Sequence, residues 1–139
     1  MNLYDELLAL VDVLEQNQIE YALCGGLAVG ILGHPRMTKD IDLLVQAQDV
    51  ARITEAVKSC GFTTPSGRIP FRLGRLDEQI LYRVNKVVDR RVITLDLIVV
   101  PPFLEDVWKG RNTIQWQNRN VKIVSRDGLG KMKRLAGRR

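Results

Sequence analysis

The sequence is poor in the residues that build zinc sites and disulfide scaffolds. It has one histidine, His34, and two cysteines, Cys24 and Cys60, in 139 residues. A tetrahedral zinc centre draws mainly on these residue types, so little room is left for one. Two cysteines make no disulfide framework, and both read as buried thiols in a reducing cytoplasm. No apolar run is long enough to span a bilayer, so no membrane segment is expected. The opening MNLYDELLALVDVLEQN carries acids where a signal peptide carries bases, and it reads as part of a folded domain. Internal repeats, low-complexity tracts and linkers are also lacking.

What remains is a chain of single-domain length, with one domain expected over 1–139 and enough apolar residues, 45%, to fill a core. The formal net charge is +5, which suits an anionic partner such as a nucleoside triphosphate or RNA. The bases crowd the end of the chain. The segment SRDGLGKMKRLAGRR holds Arg126, Lys131, Lys133, Arg134, Arg138 and Arg139 against Asp127. A solvated face is the plain alternative for such a run.

Hydrophobic spacing predicts a helix over 2–16, with Leu3, Leu7, Leu10, Val11 and Leu14 on one face and Asn2 as its cap. YALC reads as a short buried strand stopped by Gly25-Gly26, and LAVGIL as a short helix. TKDIDLLV has strand alternation. A second amphipathic helix is expected over 47–60, ended by Gly61. RIPFRL, EQILYRV and RRVITLDLIVV read as strands, the second and third joined by a turn around Asn85-Lys86. FLEDVWKG reads as a short helix. TIQWQ and VKIVS read as strands about a turn at Asn118 to Asn120, and a helix capped by Ser125 or Asp127 closes the chain. The expected class is α+β, a mixed sheet flanked by helices.

Asp40 and Asp42 stand two apart on a strand, so their carboxylates share a face. Aspartate is disfavoured in strands, and two like charges side by side call for a cation. Mg²⁺ fits, since it takes oxygen ligands from one or two carboxylates plus substrate phosphates. Asp96 lies in the apolar strand ITLDLIVV, where an ionised carboxylate needs a partner. If that strand neighbours TKDIDLLV, three carboxylates gather, a set able to hold two metal ions ~3.5–4 Å apart. The rival reading leaves Asp40 and Asp42 at a solvated strand end and pairs Asp96 with an arginine. Gly25-Gly26 precedes a helix start, and open backbone N–H groups there suit a phosphate. A plain tight turn is the rival for the glycines. Trp108 and Trp116 read as core or surface anchors in preference to base-stacking platforms, and Arg68, Arg72 and Arg75 as a solvated strand face.

The stretch YALCGGLAVGILGHPRMTKDIDLLV resembles the signature of the nucleotidyltransferase superfamily, whose best-known fold is that of DNA polymerase β. It is most similar to the minimal bacterial branch related to AbiEii-type toxins. The shared pattern is a glycine pair, a short helix, R-x-T-x-D-I-D and a later strand aspartate, extended here by the closing VKIVSRDGLGKMKRLAGRR. The resemblance implies that Asp40 and Asp42 bind metal and triphosphate, with Asp96 as third ligand and general base. It implies that Gly25 and Gly26 cradle phosphate, that Arg36 and Thr38 orient the metal loop, and that Lys131 reaches the phosphates. Many superfamily members carry Gly-Ser where this chain has Gly25-Gly26, and related chains usually continue past the closing helix, whereas this one stops at Arg139.

The function so implied is transfer of a nucleotidyl group from a nucleoside triphosphate to a hydroxyl, with Mg²⁺ or Mn²⁺ and release of pyrophosphate. The acceptor would be tRNA, a protein side chain or a small molecule. Two rivals are a catalytically silent member of a toxin–antitoxin pair and a metal-independent RNA-binding module. The last gives no account of three acids on apolar strands.

Overall fold

The computed structural model describes residues 2–33, 38–71, 74–75 and 78–136. His34, Arg36 and Arg72 lie outside the described residues. The first helix, α1 (Leu3–Gln16), starts at a reciprocal cap: the Asp5 amide donates to Asn2 Oδ1 at 3.0 Å and the Asn2 amide to Asp5 Oδ2 at 3.4 Å. It buries the expected stripe of Leu7, Leu10, Val11 and Leu14, and also Glu6. A three-residue strand, β1 (Ala22–Cys24), runs straight into α2 (Gly25–Ile31). The glycine pair is thus the first turn of that helix and not a separate turn before it.

Next come β2 (Asp40–Val45) and α3 (Val50–Ala56), the latter flanked by 3₁₀ turns at Ala47–Asp49 and Val57–Cys60. The continuous helix expected over 47–60 is therefore split, and Gly61 at φ 92° ends it in the left-handed region. Three long strands follow: β3 (Thr64–Phe71), β4 (Gln79–Val88) and β5 (Arg91–Val99). The turn expected at Asn85-Lys86 is absent. β4 runs through both residues, because each pairs across the hairpin, Asn85 with Thr94 and Lys86 with Ile93. The reversal falls at Asp89 and Arg90, both at positive φ (49° and 67°), as a two-residue hairpin requires. A short α4 (Glu105–Lys109), the hairpin β6 (Asn112–Trp116) and β7 (Arg119–Ile123), and α5 (Arg126–Ala136) complete the chain. In this second hairpin the turn sits slightly earlier than expected, at Gln117 and Asn118, again both at positive φ. Ser125 caps α5, its Oγ accepting from the Gly128 amide at 3.0 Å.

The strands form one seven-stranded mixed sheet in the order β3-β4-β5-β2-β1-β7-β6. This is the α+β class expected. One core cluster joins Leu7, Leu10 and Leu14 of α1 and Ile53 of α3 to Leu23, Ile41, Leu43, Leu95 and Leu97 of the central strands. A second gathers Cys24, Leu44, Leu104, Val107, Trp108 and Val124. Cys24 is buried as expected, but Cys60 is only partly so. Both tryptophans are structural. Trp108 is buried beneath the Arg111 guanidinium, 4.0 Å from its ring centre, and Trp116 packs on Tyr4.

Candidate active site

Two strands distant in sequence bring the acids together. β2 and β5 are parallel neighbours in a register that pairs Asp40 with Thr94 and Asp42 with Asp96. Paired residues of adjacent strands share a face, so one row crosses four strands: Cys24, Asp42, Asp96 and Arg83. A second row runs Asp40, Thr94, Asn85. It is hydrogen-bonded outward: Thr94 Oγ1 donates to Asn85 Oδ1 at 2.9 Å, and Asn85 Nδ2 to Ser66 Oγ at 3.0 Å. The alternation that sends Asp40, Asp42 and Asp96 to this face sends Ile41, Leu43, Leu95 and Leu97 into the main core.

The charges are unevenly matched. Asp96 is buried, and Arg83 grips it with two parallel bonds, Nε to Oδ1 at 2.8 Å and Nη2 to Oδ2 at 3.0 Å. Asp42 is pushed up to about 7, first by burial, then by the charges of Asp96 and Asp40, against a smaller opposing pull from Arg83. Burial also pushes the Cys24 thiol far up, with Asp42 and Asp96 adding to the effect, so Cys24 is an inert neighbour.

Gly25 closes the other side. Its φ of +69° favours glycine, and a Cβ there would run into the Asp42 carboxylate. A Cβ on Gly26 would meet Thr38 at 2.9 Å. Thr38 Oγ1 donates to the Asp40 carbonyl at 3.4 Å. The glycine pair, Thr38 and the acids thus form one continuous surface. Lys131 is engaged elsewhere: its Nζ donates to the Phe103 carbonyl at 2.7 Å and to Asp106 Oδ1 at 3.0 Å. The rival reading, an arginine on Asp96, is what the structure shows, though sequence reasoning did not single out Arg83. It stands in EQILYRVNKVV at a strand position like its neighbours, and only the β4–β5 register sets it opposite Asp96.

An all-carboxylate donor set suits a hard cation such as Mg²⁺. Burial is the first cause of the raised Asp42, and the neighbouring acids Asp96 and Asp40 add to it more than Arg83 takes away. Yet among the described residues no three Asp, Glu, His or Cys side chains are disposed around one ion position. The expected three-acid metal set is therefore adjacent in the sheet but not assembled, and Asp96 is bound by Arg83. By its chemistry the set would fit a hard cation, with Asp40 and Asp42 as its first ligands.

A glycine pair opening a helix beside a D-x-D strand, with a third aspartate one strand away, defines a nucleotidyltransferase fold. The computed structure is similar to that of a Thermotoga maritima protein proposed to be a nucleotidyltransferase, with TM-score 0.71 and 15% identity over 95% of this chain and 83% of that one. It is similar to the antibiotic-resistance factor ANT(2'')-Ia in complex with adenylyl-2''-tobramycin, with TM-score 0.55 and 14% identity over 98% and 78%. A Helicobacter pylori protein matches with TM-score 0.55 and 20% identity over 94% of this chain, which spans 53% of that protein. At these identities the likeness is one of fold. The profile of the aminoglycoside-2''-adenylyltransferase family matches residues 6–88, and the chain belongs to that family. No curated protein matches it in sequence. Among the described residues, no helix is long and apolar enough to cross a membrane.

Proposed function

We propose that this protein transfers a nucleoside monophosphate, adenylate first among candidates, from a nucleoside triphosphate to a hydroxyl of a small cytoplasmic molecule. The observation that carries the reading is the register pairing of Asp42 with Asp96 next to Gly25, whose open backbone turn faces the Asp42 carboxylate. The acceptor oxygen forms its bond to the α-phosphorus as the bond to the β-phosphate's bridging oxygen breaks. Pyrophosphate leaves with that electron pair, and the hydroxyl proton passes to Asp96. Asp40 and Asp42 would hold the divalent ion, with Asp96 joining them. A bound Mg²⁺ or Mn²⁺ supplies charge neutralisation at the triphosphate. The amides at Gly25 and Gly26 would orient the phosphates, and Arg36 and Thr38 would orient the metal loop. Lys131 remains a candidate phosphate ligand if it leaves Asp106. Catalysis of this kind rests on positioning and charge stabilisation.

The family to which the chain belongs makes an aminoglycoside hydroxyl the first acceptor to test, with other polyhydroxylated small molecules, tRNA and protein hydroxyls after it. The test is pyrophosphate release from ATP and the other nucleoside triphosphates with Mg²⁺ or Mn²⁺ across such an acceptor panel. Acceptor-dependent release that falls by about 10²–10³-fold or more in Asp42→Asn supports the reading. Release that is absent with every acceptor, or equal in Asp42→Asn, overturns it.

One observation favours a second reading. Asp96 is fully engaged by Arg83, as it would be in a protein that kept the fold without the chemistry. Such a protein would bind nucleotide or a partner, as a silent component of a toxin–antitoxin pair, and its biological effect would survive Asp42→Asn.

A further inference from the structure

We infer that Arg83 is an exchangeable counter-ion: it occupies Asp96 in the empty site and competes with the divalent cation for that carboxylate. The inference rests on the metal-binding reading above and deepens it.

Asp96 is buried in an apolar strand, where a carboxylate needs a partner, and Arg83 is that partner. The Asp96 side chain is 7% exposed, whereas that of Arg83 is 38% exposed. The guanidinium therefore reaches in from the solvent rim, and it can withdraw without unpacking the core. There is room for it to go. Arg83 pairs on its other side with Gly67, at an irregularity in β3 between Pro65 and Gly67. A side chain on Gly67 would meet nothing within 4 Å, so the sheet surface beside Arg83 is open. Both Asp96 oxygens accept from Arg83, which places its fork on the carboxylate edge a metal would use. Asp42 is the register partner of Asp96 and shares the β2 face with Asp40, so a cation at Asp96 would sit beside both. Withdrawal of Arg83 returns a third carboxylate to the site and frees a planar, permanently charged fork suited to a phosphate. Metal binding to Asp96 and release of Arg83 are then one event.

The test is Mn²⁺ binding to the full chain without nucleotide, read by the electron paramagnetic resonance of free Mn²⁺, together with the Mn²⁺-induced shift in unfolding temperature. Arg83→Gln should bind Mn²⁺ at least about tenfold more tightly than the parent, since the competing charged hydrogen bonds are gone. Arg83→Lys, which keeps the charge but loses the fork, should fall between them. Mn²⁺ should raise the unfolding temperature of Arg83→Gln by more than that of the parent, and the double variant Arg83→Gln/Asp96→Asn should lose the gain. A parent that binds Mn²⁺ no worse than a folded Arg83→Gln overturns the inference and leaves the metal site standing. If Arg83→Gln does not fold, Arg83→Lys decides: unchanged or weaker affinity overturns the inference. If neither parent nor variants bind Mn²⁺ at millimolar concentration, the metal reading fails and the inference falls with it.

Discussion

Asp42 and Asp96 are register partners on parallel neighbouring strands, yet only Asp96 is held by an arginine. Asp96 is buried but has an arginine fork on both oxygens; Asp42, beside it, is raised to about 7. Two like residues one strand apart thus differ in what they can accept. Asp42 keeps its proton to about 7, whereas both oxygens of Asp96 are met by Arg83. This asymmetry explains how the sheet tolerates three acids on one face before any ligand arrives.

Gly25→Ala and Gly26→Ala should part sharply. At Gly25 the added methyl meets a positive φ, costing about 1–2 kcal/mol from the backbone alone, and collides with the Asp42 carboxylate. At Gly26 it meets Thr38 Cβ and Oγ1, both at 2.9 Å, so Thr38 must shift, while alanine gains roughly 0.5–1 kcal/mol of helix preference in partial offset. Thermal unfolding of the two variants should show a clearly larger loss for Gly25→Ala than for Gly26→Ala. Equal losses would mean that Gly25 does not brace Asp42.

Much of this was legible in the chain because local rules agreed with the fold. The D-x-D alternation put Asp40 and Asp42 on one face whatever β2 paired with, and the dense motif around it pointed to the superfamily. The pairing of Asp96 rested on a condition, that its strand neighbours β2, and the register now supplies it. Arg83 was not legible, since nothing local separates a strand arginine over solvent from one over a carboxylate. Hairpin turns were misplaced by a few residues where Asp89-Arg90 and Gln117-Asn118 take positive φ without glycine. Turn chemistry that uses no glycine leaves a weak mark in sequence. The motif pointed to the toxin-like branch, whereas the family profile that matches is that of the aminoglycoside adenylyltransferases.

Glu6 and Lys86 make a buried cross-link between α1 and β4. Glu6 is 1% exposed, its Oε1 lies 2.9 Å from Lys86 Nζ, and its Oε2 has no hydrogen-bond partner among the described residues. Lys86→Met should therefore cost about 3–5 kcal/mol, because it strands a buried charge. Adding Glu6→Gln should recover most of that loss. Denaturant unfolding of the two single variants and the double measures the coupling. Additive losses would show that the pair contributes only through packing.

Arg90 holds φ 67° in a two-residue hairpin that favours glycine there. Arg90→Gly should stabilise the protein by about 0.5–1 kcal/mol, since relief of left-handed strain exceeds the added entropy of the unfolded chain. A rise in the urea midpoint at constant slope would confirm it. A fall would mean that the Arg90 side chain contributes more than its backbone costs.

Asp42 makes the pH dependence of stability a measure of the site. Its folded value of about 7 lies above the ordinary 3.8, so between these limits the native state keeps a proton that the unfolded chain has lost. Stability from this group is therefore highest below about pH 4 and falls by roughly 1.4 kcal/mol per pH unit as pH rises towards 7. Above that the slope flattens, with the charged form buried in both acid neighbours' field. Asp42→Asn removes this slope. The variant should match the parent near pH 4 and exceed it by a few kcal/mol at pH 8. Mg²⁺ at pH 8 should return stability to the parent and not to Asp42→Asn, because only the ionised carboxylate gains from the ion. Parallel stability curves for the two proteins would show that Asp42 is not raised, and that the charge at this corner is already balanced.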